Sequence, residues 1–556
     1  MEKIWLKSYP PGIPETVNVD AYHSLVEAFE TYSELFAEKT AFSNFGVRIT
    51  YRQISEHSRS FAAFLQQQLR MEKSERFAIL LPNLLQFPVA MLGALRAGLV
   101  VVNVNPLYTA RELIHQLNDS GATGILVLDK LIGELTKALP QTSLRHVIVT
   151  TLGDCLGWMK GPIINFIVKH IRKEVPQWHI TNAISFKTVL KQGRSLSLET
   201  VRLQNTDPAF LQYTGGTTGV SKGAILTHRN MIANILQCLA WFRTTLQPGQ
   251  EIVLGALPLY HIFSLTVCCF CFMTIGSHCL LITDPRDTPR LIRTLQRMCP
   301  TIFVGLNTLF NGLLQQPAFA TVNFSKIKLV IAGGMAMKKA VAERWQAVTH
   351  TTVIEGYGLT EASPVVSANP LSLTDYNGSI GLPLPGTEVV IRDDEGRDLA
   401  VGKTGELCVK GPQVMLGYWN HPGETTEVLC DEWLKTGDIV KMDDRGFLYL
   451  LDRKKDMIIV SGFNVYPNEV EEIIASHPGV KEVAVVGVPS EKSGEKVKAF
   501  VVKKDKTLTE SALLAYCRQQ LTGYKIPKEI EFRNTLPKSN VGKVLRRQLR
   551  DAAHGI

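Results

Sequence analysis

The sequence predicts an α/β protein. It has a large N-terminal region of alternating α/β layers, a small antiparallel β region, and a smaller α+β unit at the C-terminal end. Three observations predict this. Short β-branched runs alternate with helix-period segments over the first four hundred residues. After about residue 385, closely spaced glycines cut the chain into short alternating segments. A charged stretch, LDRKKDMI (451–458), then precedes a compact tail, so we place the domains at 1–451 and 452–556.

In order, FAILL (77–81) is a strand-like run, a helical-period stretch follows to Ala97, and LVVVNV (99–104) is β-branched again. Thr109 and Glu112 stand at capping-box spacing before the amphipathic ELIHQLNDSG, and GILVL (124–128) returns as a strand. Such alternation implies βαβ units whose parallel strands are buried on both faces. IVLGALPL (252–259), TIFVGL (301–306) and LVIAGG (329–334) repeat the theme. EVVIRD and GELCVKG read as antiparallel strands. In the tail, NEVEEIIASHPGV is helical, EVAVVGV and AFVVKK are strands, and ESALLAYCRQQL is a second helix.

At 556 residues the chain exceeds one hydrophobic core, and 45% hydrophobic with 20% charged residues is an ordinary globular composition. The net charge of +9 suits an anionic substrate, nucleic acid or anionic lipid without choosing among them. MEKIWLKSYPPGIPETV places charges and prolines where an export signal needs an apolar stretch. Ten cysteines without framework spacing read as reduced thiols of a cytoplasmic protein. Cys268 and Cys271 form a C-x-x-C inside the apolar run IFSLTVCCFCFMTIG, where core packing outweighs metal binding. That run falls short of the roughly 20 residues of a membrane span.

The segment YTGGTTGVSKGA comprises Tyr213, Thr214, Gly215, Gly216, Thr217, Thr218, Gly219, Val220, Ser221, Lys222, Gly223 and Ala224. It is not a Walker loop, because Lys222 comes two places late and strand-like runs, AFLQYT and GAILT, flank it. A helix begins only near His228. Glycines that free the backbone, four hydroxyls and one cation suit a strap over the β- and γ-phosphates of a nucleotide. A surface turn competes until the companions are counted. AGG (332–334), EGYGLTE (355–361), TGD (436–438) with Asp452 and Arg453, and PKSNVGKVLRR (537–547) follow in order.

With these motifs in view, the chain resembles the adenylate-forming superfamily of acyl-CoA synthetases, luciferases and peptide-synthetase adenylation domains, essentially end to end. Within it, VVNVNPLYT, LPLYHIF, KGPQVMLGYW and SGFNVYPNE are most similar to bacterial long-chain fatty-acid–CoA ligases. The resemblance implies the adenylate-forming enzyme fold with a mobile C-terminal domain hinged near 452–454. It implies ATP and coenzyme A as co-substrates, Mg²⁺ as cofactor, and a long-chain fatty acid as substrate. The implied reaction makes acyl-AMP and pyrophosphate, then acyl-CoA and AMP, feeding β-oxidation or lipid synthesis. A medium-chain or aryl-acid ligase is the alternative.

The same resemblance assigns roles. Tyr357 stacks on adenine beside Gly358, Thr360 meets the α-phosphate, and Glu361 holds Mg²⁺. A hard oxygen ligand suits that ion. Gly333 and Gly334 let backbone approach the adenine, although a strand-end turn explains them almost as well. Asp438 takes the ribose hydroxyls with Arg453 nearby. His261 lines the acyl-carboxylate end, where a satisfied core histidine is the competing reading. Lys543 bridges carboxylate and α-phosphate in the first half-reaction, and domain rotation then replaces it with the loop carrying Gly462, which approaches the pantetheine arm.

Two stretches stay open between function and packing. The run from Ile262 to Ile275, with Trp241 and Phe242, is either the wall of an alkyl tunnel or plain core. LGWMKGPIINFIVKHIRK (156–173) is either a basic amphipathic segment on the inner face of a membrane or a surface helix packed on the core. No motif speaks for nucleic acid, and none decides whether the protein is a homodimer.

Overall fold

The computed structural model describes residues 2–214, 221–490, 493–539 and 542–554. Its first sheet has seven strands, in the order Ile184–Ser185, His146–Thr150, Ala122–Leu128, Arg76–Leu80, Val100–Asn103, Pro208–Thr214 and Lys222–Thr227. All pairs are parallel except the last, an antiparallel hairpin. The β-branched runs form this sheet because both of its faces are covered: Val101, Val102, Ile125 and Leu126 are fully buried.

A second sheet of nine strands runs Leu382–Pro383, Val365–Ala368, Ile354–Gly358, Leu329–Ala332, Ile302–Gly305, Ile252–Gly255, His278–Leu281, Thr40–Asn44 and Val47–Thr50. Its six central strands, from Ile354–Gly358 to Thr40–Asn44, are parallel, and antiparallel strands finish both edges. A smaller antiparallel sheet is built from Glu388–Arg392, Thr404–Lys410, Leu429–Cys430, Trp433–Met442 and Leu448–Arg453. One continuous core of buried side chains joins these three sheets, from Phe77 and Phe210 through Val253 and Ile302 to Val389 and Leu407.

From Ile458 onward the chain forms a fourth, five-stranded sheet with its own two cores. One is centred on Ile458, Val485 and Leu513, the other on Val486, Phe500 and Leu549. The α/β class predicted from alternation is therefore the observed one.

The predicted capping box is present, with the Thr109 N–H donating to Glu112 at 2.8 Å. Other elements are shorter than predicted. IVLGALPL stays in the sheet only as Ile252–Gly255. There the Asn83 amide takes over the role of a neighbouring strand: its Nδ2 donates to the carbonyls of Gly255 (3.0 Å) and Leu257 (2.8 Å), and its Oδ1 accepts from Leu259 N–H (2.8 Å). That side chain turns LPLYHIF out of the sheet. The following apolar run forms a wide π-helix over Ser264–Cys271, completely buried. All ten cysteines are free, and burial pushes the thiols of Cys238, Cys268, Cys269, Cys271 and Cys279 upward, that of Cys268 to about 12.

Helix Gly157–Phe166 turns Gly161 and Asn165 inward, where Asn165 Oδ1 accepts from Gly153 N–H at 2.7 Å and its Nδ2 donates to Thr151 Oγ1 at 2.7 Å. Four of its apolar residues face out: Trp158 is 84% exposed, and Met159, Ile163 and Phe166 are each 59% exposed. Ile164 of the same helix packs against the main core, so the helix is seated along one side only. Among the described residues, no helix is long and apolar enough to cross a membrane.

The helix His228–Phe242 follows directly on the hairpin, and Thr227 caps it: Asn230 N–H donates to Thr227 Oγ1 at 3.1 Å, and Thr227 N–H donates to Asn230 Oδ1 at 3.0 Å. Thr227→Ala should lower stability by about 1 kcal/mol. Chemical denaturation checks this, and an unchanged midpoint would remove the cap from the account.

Candidate active site

The hairpin Pro208–Thr214 and Lys222–Thr227 pairs Thr214 with Lys222 at its open end, so the strand register alone sets Lys222 at the foot of the glycine segment. Residues 215–220 of that segment lie outside the described residues. The flanks are anchored. Tyr213 is buried and donates its hydroxyl to Asp119 Oδ2 at 2.5 Å. Opposite it is Gly223, followed by the fully buried Ala224. His115 Nε2 donates to the Ser221 carbonyl at 2.8 Å. Lys222 Nζ stands 3.4 Å from Glu424 Oε1 and 5.4 Å from the ring centroid of Tyr418.

Gly333 and Gly334 leave the carboxyl end of Leu329–Ala332, next to the Phe263 ring. The neighbouring strand Ile354–Gly358 ends in Tyr357 and Gly358. A β-carbon at Gly358 would lie 2.1 Å from the Pro364 carbonyl oxygen, so only glycine allows the chain to double back here. The reversal sets Thr360 and Glu361 in one 3₁₀ turn, both partly buried. Glu361 Oε1 accepts from the Tyr418 hydroxyl at 2.6 Å.

Asp438 and Arg453 face one another on adjacent antiparallel strands. The Tyr357 hydroxyl donates to Asp438 Oδ2 at 2.6 Å, and Arg453 Nε is 3.4 Å from Asp438 Oδ1. Tyr357 is therefore tied to the smaller sheet through the carboxylate.

The tail enters this group. A β-carbon at Gly542 would lie 2.9 Å from Thr308 Oγ1, so the absence of a side chain lets the tail approach the helix Asn307–Leu314. The next residue is Lys543. Burial, and then the neighbouring Arg453 cation, push its ammonium down to about 8, against the pull of Asp438. His261 is lowered to about 4, first by burial and then by the Lys543 charge. At neutral pH its ring is uncharged. Phe263 N–H donates to His261 Nδ1 at 3.3 Å, which puts the imidazole proton on Nε2 and makes that atom a hydrogen-bond donor.

The structure thus brings together Lys543, His261, Arg453, Asp438 and Tyr357, and links Glu361 to Lys222 through Tyr418. Gly462 does not join them. It turns an exposed hairpin at φ +83°, with no other atom near where a β-carbon would lie. Sequence reasoning missed Tyr418, Glu424, Asp119 and His421. Tyr418 lies within KGPQVMLGYW, but no spacing ties it to Glu361, 57 residues earlier.

Among the described residues no three His, Cys, Asp or Glu side chains cluster as a metal cage. A lone carboxylate beside a phosphate site fits Mg²⁺, which takes one or two carboxylates and completes its shell with substrate phosphates and water. Glu361, with an oxygen not engaged by Tyr418, meets that requirement.

Comparison with known proteins follows the same lines. Residues 29–419 match the model of the AMP-binding enzymes, and residues 469–543 match that of the AMP-binding enzyme C-terminal domain. The chain is 55% identical to the long-chain-fatty-acid–CoA ligase of Yersinia pestis, covering 99% of this chain and 98% of that one. It is 39% identical to the protein of that name from Bacillus subtilis, again over 99% and 98%. Among solved structures it resembles an anthranilate CoA ligase in complex with anthranoyl-AMP, with TM-score 0.85, 25% identity, and 97% and 99% of the two chains covered. ATP-bound MatB from Rhodopseudomonas palustris gives TM-score 0.80 at 28% identity over 95% and 98%.

Proposed function

Because this chain belongs to the AMP-binding enzyme family, we propose that it is an AMP-forming long-chain fatty-acid–CoA ligase, which joins a fatty acid to AMP with loss of pyrophosphate and then transfers the acyl group to coenzyme A. The observation that carries this reading is the partly buried Lys543 ammonium among His261, Arg453 and Asp438. Full-length relatives at 47–55% identity bear the long-chain name, which favours that substrate over an aryl acid.

The chemistry follows from charge. A carboxylate and a triphosphate repel each other as they approach. Lys543 lies between them and offsets both that repulsion and the charge gathering on the departing pyrophosphate. No base is needed, since a fatty acid is already ionised at neutral pH. The neutral His261 donates from Nε2 to the acyl oxygen, and Thr360 to the α-phosphate. Asp438 accepts from the ribose hydroxyls, with Tyr357 against the adenine and Gly333 and Gly334 beside it. Lys222 and the glycine segment hold the β- and γ-phosphates. Mg²⁺, held by Glu361, supplies further charge neutralisation when bound.

In the second half-reaction the thiol of coenzyme A attacks the acyl-AMP carbonyl and AMP leaves. Lys543 would obstruct it. A rotation about 452–454 carries the C-terminal domain round on its own cores, withdraws Lys543 and presents Gly462, whose open hairpin admits a close backbone approach. The alkyl chain lies along the π-helix Ser264–Cys271, toward an apolar cleft lined by Phe29, Tyr32, Ile235 and Phe270. The outward face of Gly157–Phe166, with Lys160, Lys169 and Lys173 beside it, lies on the anionic inner face of a membrane, from which the acid arrives.

Three outcomes test these assignments. Lys543→Ala should lose oleate-dependent pyrophosphate exchange by about 10²–10³-fold, yet still convert supplied oleoyl-AMP to the thioester. Loss of the second step alone would reverse the role of the lysine. Because the ammonium is the active form and its pKa in the empty site is about 8, kcat/KM for adenylation should fall as pH rises through that value. A rate that stays flat toward pH 10 would contradict it. Finally, Lys169→Glu with Lys173→Glu, or Trp158→Ser with Phe166→Ser, should release the protein from phosphatidylglycerol vesicles in a sedimentation assay. Unchanged binding would end the membrane assignment.

A further inference from the structure

The acidic and histidine side chains around Lys222 have no part in the mechanism above. The Lys222 ammonium is paired with Glu424, on the helix Pro422–Val428, and lies over the Tyr418 ring. Glu424 in turn stands 3.2 Å from His421 Nδ1, and His421 Nε2 stands 3.5 Å from Asp119 Oδ1. Asp119 is the group that accepts the Tyr213 hydroxyl. The row Asp119, His421, Glu424 therefore runs from one foot of the hairpin to the other, holding Tyr213 at one end and Lys222 at the other. The Trp419 and Asn420 side chains both donate to the Asp119 carbonyl, at 3.1 and 2.9 Å, and fix that row to the helix Ala110–Ser120.

We propose that Glu424 is a holding post for Lys222. It pairs with the ammonium while no triphosphate is present, yields it to the β- and γ-phosphates when ATP binds, and takes it back as pyrophosphate departs. The inference rests on the reading of Lys222 as a triphosphate contact. The physical basis is competition for one cation. A single carboxylate loses to a triphosphate, but it regains the lysine once only the α-phosphate of AMP remains. The Lys222 and Glu424 side chains are 30% and 36% exposed, so the pair is weak enough to open on each turnover. Its weakness is what allows exchange. Tyr418, touching Lys222 with its ring and Glu361 with its hydroxyl, keeps the parked lysine within the same group of residues.

The test is a double-mutant cycle on the intact enzyme, with dissociation constants for ATP, pyrophosphate and AMP measured by calorimetry in Glu424→Gln, Lys222→Met and the double variant. Glu424→Gln should tighten ATP and pyrophosphate by about two- to fivefold, the range of a part-exposed ion pair, and leave AMP where it was. Lys222→Met should weaken ATP and pyrophosphate, and in its background Glu424→Gln should do nothing. An equal tightening in the Lys222→Met background would make Glu424 a simple repeller of phosphate and overturn the post. So would a silent Glu424→Gln, or an equal change for AMP. If Lys222→Met itself leaves all three constants unaltered, the triphosphate reading of Lys222 falls and the post falls with it. If Lys222→Met weakens ATP while Glu424→Gln is silent, only the post is lost.

Discussion

Everything in the site depends on one uncomfortable arrangement: the Lys543 ammonium is held partly out of water beside a second cation, Arg453, with Asp438 as their partial counterweight. Two positive groups in one partly dry pocket are costly without an anion between them. An anion bound between them would offset that cost. The antiparallel sheet contributes Asp438 and Arg453 by register, the larger sheet contributes Tyr357 from a strand end, the loop that leaves it after Gly255 contributes His261, and the tail contributes the lysine. A pocket assembled from three parts of the chain is complete only when all three are docked, so its charge is tied to how the tail is seated.

The layers were readable because parallel strands buried on both faces must be nearly all apolar. Runs such as LVVVNV have no other good place to go. The cap at Thr109 and the helix start at His228 were readable for a similar reason, since orphan N–H groups need local side-chain oxygens. Where the reading overshot, a distant polar residue was responsible. Nothing within IVLGALPL says that Asn83, more than 170 residues away, will satisfy its backbone and end the strand. Periodicity also cannot tell an inward face from an outward one. It marked Trp158, Ile163 and Phe166 as a stripe, but only the packing of Gly161 and Asn165 fixed its direction.

The site was legible to an uneven degree. Residues inside ordered motifs, such as Tyr357, Asp438 and Lys543, do meet. Those that connect the motifs were invisible, because Tyr418 and Asp119 act through hydrogen bonds to partners far away in the sequence. Motifs carry the groups that meet in the site. The scaffolding between them is written in three dimensions only.

The silenced thiols of the core carry a last consequence. A catalyst that makes activated acyl groups and hands them to a sulfur nucleophile works beside Cys268, Cys269 and Cys271, which lie on the very helix proposed to flank the alkyl chain. Any of these, as a thiolate, would intercept the acyl group and poison the protein with its own product. Enclosure in hydrocarbon keeps them protonated, and so chemically mute. The greasy wall that would select the substrate also protects the enzyme from self-acylation.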